Sequence, residues 1–314
     1  MPFALETIFA ERLYYTSSLG LVFLVVWLLQ QRWPVLTRRL LWALLGAWLV
    51  ASGWTTVYRM GIWQNNRTLF CHDAAVHDRS LRLLQMAAGQ YEIQEPKRHD
   101  LFLRCIRRIL TLEPNFPAAL HAMSREAVAA GDLDAALELL RRGRNSPLLM
   151  IVDKAEDAPK LYHDLGVVLA AKGRRQEASQ SYLDAIEFAN NYHPAREKLI
   201  RMAVDDNDLA EAERLLAEGE RIDPRHDPWK IHRGVLAYRR GDHATAARIL
   251  AGVLPRATRK TLTFTDWLAL ADALGKSGRK RDGLHMLEYG IQMWAGVPPE
   301  HLQAVHGLRQ RLLR

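Results

Sequence analysis

The chain has 314 residues, of which 49% are hydrophobic and 25% are charged, so general disorder is excluded and one or two buried cores are expected. The formal net charge of +8 does not indicate nucleic-acid binding, because the first 67 residues, with six Arg against two Glu, carry half of it. Two cysteines, Cys71 and Cys105, exclude a disulfide framework. Two small buried thiols are favoured over a single bridge, which stays open.

Residues 1–67 contain two long uncharged segments, Leu13–Gln31 and Leu40–Tyr58, of 19 residues each. A helix rises about 1.5 Å per residue, so each can cross a hydrocarbon core of about 30 Å. We therefore predict a transmembrane hairpin with spans at about 13–31 and 40–58, in contact with membrane lipid. A cleaved signal peptide fits poorly, because the first eleven residues hold two Glu and no basic residue. A buried helical hairpin in a soluble protein is the other alternative.

The segment between the two spans is basic. Arg32, Arg38 and Arg39 lie there without an acidic residue, whereas the flank before the first span is near neutral. The positive-inside rule places this loop in the cytoplasm. We expect an integral membrane protein, in the inner membrane if bacterial, with everything after Tyr58 extracytoplasmic.

From about Arg98 onward the sequence repeats itself. The segment LYHDLGVVLAAKGRRQEASQSYLDAIEFANN, residues 161–191, resembles the tetratricopeptide repeat, a unit of two antiparallel helices. Turn positions recur 34 residues apart at Gly173, Asn207 and Gly241. Small residues of the second helix recur at the same interval: Ala178, Ala212 and Ala246.

These repeats predict an all-α fold, in which an α-solenoid follows the membrane hairpin. One unit cannot bury its apolar face alone, so neighbouring units must stack. The small residues allow close helix crossing, and the turn glycines allow positive φ. We expect a degenerate first repeat or cap over 68–114 and five repeats over 115–314. The repeat residues themselves are structural.

No sequence signal for catalysis is present. The chain lacks HExxH, Cys-x-x-Cys, G-x-S-x-G and phosphate-binding glycine motifs, although it has 12 His. We therefore predict no enzyme activity, no cofactor and no metal site, and we expect no strand. Basic clusters at 141–144, 172–175, 238–242 and 278–282 are typical of solvated helix ends, with anionic lipid or glycan as an alternative partner.

The first helix of each tetratricopeptide unit lines the concave face. Counting from the repeat register places ten polar or aromatic residues there: His121, Arg125, His163, Glu197, Arg201, Asp205, Tyr238, Arg239, Asp272 and Lys276. This face is either a solvated inner surface or a groove for an extended peptide or a protein domain. Because Arg can clamp carboxylates through two hydrogen bonds, Arg201, Tyr238 and Arg239 are the predicted anchors.

The N-terminal junction has its own pattern. Residues 9–20, FAERLYYTSSLG, run into an apolar segment, and W-x-x-x-x-TLF follows at 63–70. This pattern resembles the C-terminal part of polytopic glycosyltransferases of the C-type fold, which include O-mannosyltransferases with tetratricopeptide repeats. Four residues match the family's motif: Glu11, Arg12, Tyr15 and Ser18. The resemblance assigns no catalytic residue to this chain. The family's catalytic acidic residues lie in an early extracytoplasmic loop, and that loop has no counterpart in this sequence.

The sequence is consistent with two functions. The first is a non-catalytic, membrane-anchored scaffold whose extracytoplasmic repeats bind a protein or peptide. The second is a fragment or subunit of a lipid-linked-sugar-dependent glycosyltransferase, inactive without a multi-span catalytic partner. Nucleic acid is not expected as a partner, because of the low charge of the repeats and their predicted side of the membrane.

Overall fold

The computed structural model describes residue 27 and residues 34–93, 98–150, 157–253, 263–294 and 296–313. These residues form helices and turns, and no strand occurs among them. They belong to two compact units, residues 1–102 and residues 103–314. The first predicted span lies outside the described residues except for Trp27, and so do the motif residues Glu11, Arg12, Tyr15 and Ser18.

The first unit contains α1 (Val35–Ile62), α2 (Asn66–Val76) and α3 (Leu81–Glu92). The side chains of Asn65 and Ser80 cap α2 and α3 by accepting hydrogen bonds from backbone N–H groups. α1 contains the second predicted span, residues 40–58, and several of its large apolar side chains are exposed. Within the described part of the chain, no helix has both the length and the apolarity needed to cross a membrane. These helices therefore do not support the predicted hairpin.

The second unit is a succession of helix pairs. α4 (His99–Leu112) runs across the boundary between the units and leads into the pairs. The pairs are α5 (Pro117–Ala129) with α6 (Leu133–Arg144), α7 (Asp157–Ala171) with α8 (Arg175–Phe188), α9 (His193–Asp205) with α10 (Leu209–Ile222), α11 (Pro228–Arg239) with α12 (His243–Val253), and α13 (Phe264–Lys276) with α14 (Lys280–Met293). A final helix, α15 (Leu302–Leu313), follows the last pair.

The turn inside each pair has left-handed backbone. Gly131, Gly173, Gly241 and Gly278 have φ between 75° and 85°, and Asn207 has φ of 59°. Glycine adopts this conformation without steric cost, and asparagine tolerates it better than most residues. The turn positions predicted from the repeat are therefore confirmed.

Close crossing of the two helices depends on small residues. Ala178, Ala212 and Ala246 are each 0% exposed. In the α7–α8 pair, a Cβ atom added at Gly166 would lie 2.6 Å from Cε1 of Tyr182, so a glycine is required beneath this ring. The prediction that these residues serve packing is confirmed.

The apolar faces of neighbouring pairs pack together in clusters of buried residues. One cluster runs from Ala136 on α6 to Leu236 on α11, and another from Ile231 on α11 to Leu274 on α13. Among the first helices, α5 contacts α7, α9 contacts α11, and α11 contacts α13. We call the surface of these first helices the inner face. At the C-terminal end, α15 packs Leu308 and Leu312 against Phe264 and Leu287, so it covers the last pair.

Cys71 on α2 and Cys105 on α4 are both partly buried, and neither forms a disulfide. The single bridge that the sequence left open is therefore not formed. Folding of this chain depends on helix packing.

Candidate functional site

A cavity of about 480 Å³ opens on the inner face, lined by residues of α9, α11, α13 and α15. Part of the lining is apolar, from Val204, Val235, Leu268, Ala269 and Leu308. The charged and hydrogen-bonding side chains that line it are Arg201, Asp205, His232, Tyr238, Arg239, Thr263, Thr265, Asp266, Asp272 and Arg311. An apolar surface with a few placed polar groups is typical of ligand sites.

Arg201 joins two repeats that are not neighbours. Its Nη1 and Nη2 donate to Oδ1 and Oδ2 of Asp266 at 3.2 and 3.0 Å, and Nη1 also donates to Oγ1 of Thr263 at 3.0 Å. Asp266 is 3% exposed and closes a capping box with Thr263 at the start of α13. The guanidinium of Arg201 is thus already occupied by a carboxylate of the protein.

Asp272 is the centre of a second polar network. Its carboxylate accepts hydrogen bonds from Tyr238 Oη at 2.6 Å, Lys276 Nζ at 2.7 Å and Arg311 Nη2 at 3.2 Å. Burial alone would raise the pKa of Asp272, but the bonds from Lys276 and Tyr238 outweigh it and lower that pKa. Burial, followed by the bond to Asp272, raises the pKa of Tyr238 to about 12. Tyr238 is therefore a neutral donor.

A third cluster surrounds Glu197 on α9. Nε2 of His226 lies 2.7 Å from Oε1 of Glu197, and Nε2 of His232 lies 3.9 Å from its Oε2. Burial alone would raise the pKa of Glu197, but the two histidines outweigh it and lower that pKa. Since His232 lines the cavity, this cluster borders the same surface.

Asp164 on α7 links two earlier repeats. Nε2 of His121 lies 2.7 Å from Oδ2 of Asp164, and Nδ1 of His163 lies 2.9 Å from its Oδ1. Burial alone would raise the pKa of Asp164, but the bonds to the two histidines hold it well below its usual range. Arg125 is an exposed residue of α5, one turn after His121.

The predicted inner-face residues thus separate into three groups. Those that line the cavity are Arg201, Asp205, Tyr238, Arg239 and Asp272. Those that contact a lining residue are Glu197 and Lys276. Those that lie in earlier repeats, outside the lining, are His121, Arg125 and His163.

The three predicted anchors differ in availability. Arg201 and Tyr238 are held by Asp266 and Asp272. Arg239 is 43% exposed, and its Nη2 approaches Oδ1 of Asp205 only at 3.9 Å. Arg239 is therefore the anchor that is best placed to receive a ligand without first breaking a short bond.

Sequence reasoning missed the residues that complete the site. Thr263 and Asp266 carry a signal that was readable, because a Thr followed three positions later by an acid is typical of a helix start. Arg311 carried no comparable signal, since its position depends on how α15 packs.

Basic residues of the clusters at 172–175 and 238–242 form ion pairs between repeats. Lys172 Nζ lies 2.6 Å from Asp134, and Arg175 Nη2 lies 2.9 Å from Asp206. Arg240 bonds to Glu213 of the preceding pair. This favours a solvated edge over a site for anionic lipid or glycan, because acidic groups of the chain already neutralise these cations.

Residues from three chain segments also meet near α11. One ring nitrogen of His193, one of His226 and one carboxylate oxygen of Asp223 lie within 4.8 Å of one another. Burial, followed by the nearby His226, lowers the pKa of His193. Motif scanning did not predict this cluster, because its residues do not form a known metal-binding spacing.

Comparison with protein-family models gives no match, and comparison with curated proteins gives none either. Solved structures do resemble the chain. One is a crystal structure of the APC/C hetero-tetramer Cut9–Hcn1, with a TM-score of 0.60 and 14% identity over 80% of this chain. The match covers 46% of that protein, so the present chain spans about half its length.

Two further structures match nearly end to end. A tetratricopeptide repeat protein from Parabacteroides merdae has a TM-score of 0.50 and 14% identity, over 85% of this chain and 98% of its own. Pseudomonas aeruginosa pilF has a TM-score of 0.50 and 12% identity, over 79% and 96%. At these identities the likeness concerns the fold alone. The described residues of the chain form an all-helical fold with a tetratricopeptide-like solenoid.

Proposed function

We propose that this chain is a non-catalytic scaffold that binds an extended peptide, or an extended segment of a protein, in the cavity on the inner face. The observation that carries the proposal is the composition of this cavity, in which apolar side chains lie beside paired charges. Inner-face cavities of this kind can hold a ligand side chain while the polar groups fix its orientation.

The charges of the cavity indicate what kind of peptide fits. Arg201, Arg239 and Arg311 are balanced by Asp205, Asp266 and Asp272, so the lining is not strongly of one sign. A strongly acidic or strongly basic peptide would therefore displace an existing pair. We expect a peptide with an apolar side chain against Val235 and Leu268 and a carboxylate near Arg239.

The test is selection of displayed peptides on the purified full-length protein, followed by affinity measurement. Ala304 is an exposed lining residue of α15, so Ala304→Trp should fill the cavity, and Arg239→Glu should reverse its most available charge. Each change should weaken the selected peptides at least about tenfold. The controls are Gln303→Trp, one position away on α15, and Arg281→Glu, a surface residue of α14. Equal binding by cavity variants and controls would refute the groove.

We further propose, from the sequence pattern, that the two uncharged segments of residues 1–67 anchor the chain in a membrane, with the repeats extracytoplasmic, although no helix among the described residues reaches the length and apolarity of a span. The uncharged segment 40–58 supports this, and so do Leu44, Val50 and Trp54 on α1, which are 60%, 74% and 77% exposed. Apolar surface of this extent is normally covered. Reporter fusions after Arg39 should be cytoplasmic and those after Thr68 extracytoplasmic. Recovery of the chain in the soluble fraction without detergent would contradict the proposal.

A second candidate is a subunit or fragment of a lipid-linked-sugar-dependent glycosyltransferase. Its support is the sequence pattern at Glu11, Arg12, Tyr15 and Ser18. The chain should then co-purify in detergent with a multi-span membrane protein, and a Glu11→Ala, Arg12→Ala variant should lose that partner. Purification of the chain from membranes without such a protein would leave only the scaffold function.

A further inference from the structure

We propose that His193, Asp223 and His226 form a binding site for one divalent transition-metal ion, with zinc as the expected metal. The three residues come from the start of α9, the end of α10 and the loop before α11. A bound ion would therefore fasten the third helix pair to the fourth. None of the three ligands lines the proposed peptide cavity, although the neighbouring Glu197 contacts the lining residue His232.

The distances suit such an ion. Nε2 of His193 lies 3.3 Å from Oδ2 of Asp223, and one ligand atom from each of the three residues lies within 4.8 Å of the others. Bonds of about 2.0–2.2 Å in a tetrahedral site place ligand atoms about 3.4 Å apart. Small side-chain rotations would bring all three atoms onto one ion.

One buried nitrogen in the cluster lacks a partner. Nδ1 of His193 is buried and accepts or donates no hydrogen bond among the described residues. Buried polar atoms are normally satisfied, so Nδ1 is an open position on a ring whose other nitrogen, Nε2, lies 3.3 Å from Asp223.

The surrounding residues hold the ligands in position. The indole of Trp229, 1% exposed, packs edge-on against the rings of His193 and His226, with centroids 5.4 and 4.6 Å apart. Oδ1 of Asp223 accepts the backbone N–H of Arg225 at 3.0 Å, which leaves Oδ2 facing His193. Ligands fixed in advance in this way lose little conformational entropy on binding.

Glu197 supplies the outer contact that metal-binding histidines commonly have. Its Oε1 lies 2.7 Å from Nε2 of His226. A carboxylate in this position sets the orientation of the ring and increases its basicity. Glu197 is therefore a positioning residue of the proposed site.

The ligand set indicates the metal. Two imidazoles and one carboxylate are borderline donors that suit zinc, and calcium and magnesium prefer sites made of oxygen alone. The Asp223 side chain is 42% exposed, so solvent can reach the cluster and a water can complete the coordination.

The experiment uses untagged full-length protein, stripped with a chelator and titrated with Zn²⁺ by calorimetry and with Co²⁺ by visible absorption. We expect one equivalent of each ion and the intense absorption bands of four-coordinate Co²⁺. His193→Gln with His226→Gln should abolish both signals, and Glu197→Gln should weaken Zn²⁺ about tenfold or more. Exposed His285 provides the control, since His285→Gln should change neither signal.

Thermal unfolding separates metal binding from a purely structural role. In the presence of chelator, the His193→Gln, His226→Gln variant must keep its helicity for this comparison. If that variant loses helicity, Asp223→Asn, which preserves the shape and hydrogen bonding of the side chain, is used in its place. Zn²⁺ should raise the Tm of the wild type and leave that of the variant unchanged. Absence of one-equivalent binding, or unchanged affinity in the folded variant, would show that the cluster is only a set of histidine–carboxylate pairs.

Discussion

Arg201 and Asp266 are 65 positions apart in the chain, yet two hydrogen bonds of 3.0 and 3.2 Å join them across the inner face. This contact between Arg201 and Asp266 connects the third helix pair to the fifth and passes over the fourth. Asp266 is almost completely buried, whereas the Arg201 side chain is 25% exposed. The two bonds therefore hold together two repeats that are not adjacent in the chain.

We expect Arg201→Ala to lower the free energy of unfolding by about 1–3 kcal/mol, because it leaves a buried carboxylate with fewer donors. Arg201→Lys should lose less, since it keeps the charge but not the two-pronged geometry. Arg239→Ala is the control and should cost about 0.5 kcal/mol or less, since its side chain is 43% exposed and its contact to Asp205 is long. Urea denaturation measures all three. Equal losses of unfolding free energy for Arg201→Ala and Arg239→Ala would mean that the Arg201–Asp266 contact does not stabilise the protein in solution.

Two helical glycines should respond in opposite directions to alanine. Gly166→Ala places a Cβ against the ring of Tyr182 and should destabilise the protein by about 1–3 kcal/mol. Gly252→Ala on α12 meets no atom within 4 Å and should stabilise it by about 0.5–1 kcal/mol, because alanine is the better helix former. Thermal unfolding of both variants is the measurement. If the two variants shift the Tm in the same direction, the assigned helix crossing is incorrect.

Sequence alone predicted what depends on local sterics. Gly173, Asn207 and Gly241 could be placed because a tight turn needs positive φ, and Ala178 because two helices cross there. The register of these markers also predicted the first helices of the pairs. What the repeat pattern cannot supply is the partner of each inner-face side chain.

Those partners depend on how successive pairs are rotated against one another. Arg201 reaches Asp266, and Asp272 receives Arg311, only because α13 and α15 are brought to the same cavity. The cluster of His193, Asp223 and His226 has the same origin, since its residues come from three elements. A small rotation per repeat, accumulated over several repeats, is set by core packing that single motifs do not record.

The pH at which Tyr238 ionises should show whether its phenol is buried in the cavity. Its pKa is raised from 10.0 to about 12, by burial and then by the carboxylate of Asp272. The difference in ultraviolet titration between the wild type and Tyr238→Phe should therefore show one phenol ionising near pH 12. In Asp272→Asn that step should move toward 10, without reaching it, because burial remains. A wild-type step already at 10 would show that the phenol is solvated.

The same shift predicts a change of stability with pH. Between 10.0 and about 12 the unfolded chain has released the phenolic proton, while the folded protein keeps it. The free energy of unfolding must then fall as pH rises through this window. We expect a shallower fall in Tyr238→Phe than in the wild type, measured by denaturation at matched ionic strength. Parallel curves would contradict the assignment.

Asp164 should make the free energy of unfolding depend on pH in the opposite direction. Its folded-state pKa lies below the ordinary value of 3.8, because the bonds to His121 and His163 outweigh burial. The unfolded chain therefore takes up this proton first as pH falls. Stability due to Asp164 is present above 3.8 and is lost as pH falls below it. At about pH 6, Asp164→Asn should lower the free energy of unfolding by about 1.5–3 kcal/mol, the range for hydrogen bonds to charged groups.

This difference between wild type and Asp164→Asn should shrink progressively below pH 3.8, because protonation removes the same charge that the substitution removes. Asp184→Asn is a suitable control, since this partly buried residue of α8 accepts a hydrogen bond from Gln180 on its own helix. It should change stability by about 0.5 kcal/mol or less at either pH. Urea denaturation of the three proteins at several pH values is sufficient for the comparison. A gap between wild type and Asp164→Asn that stays constant down to the acid transition would show that the two histidines do not stabilise the Asp164 carboxylate in the folded protein.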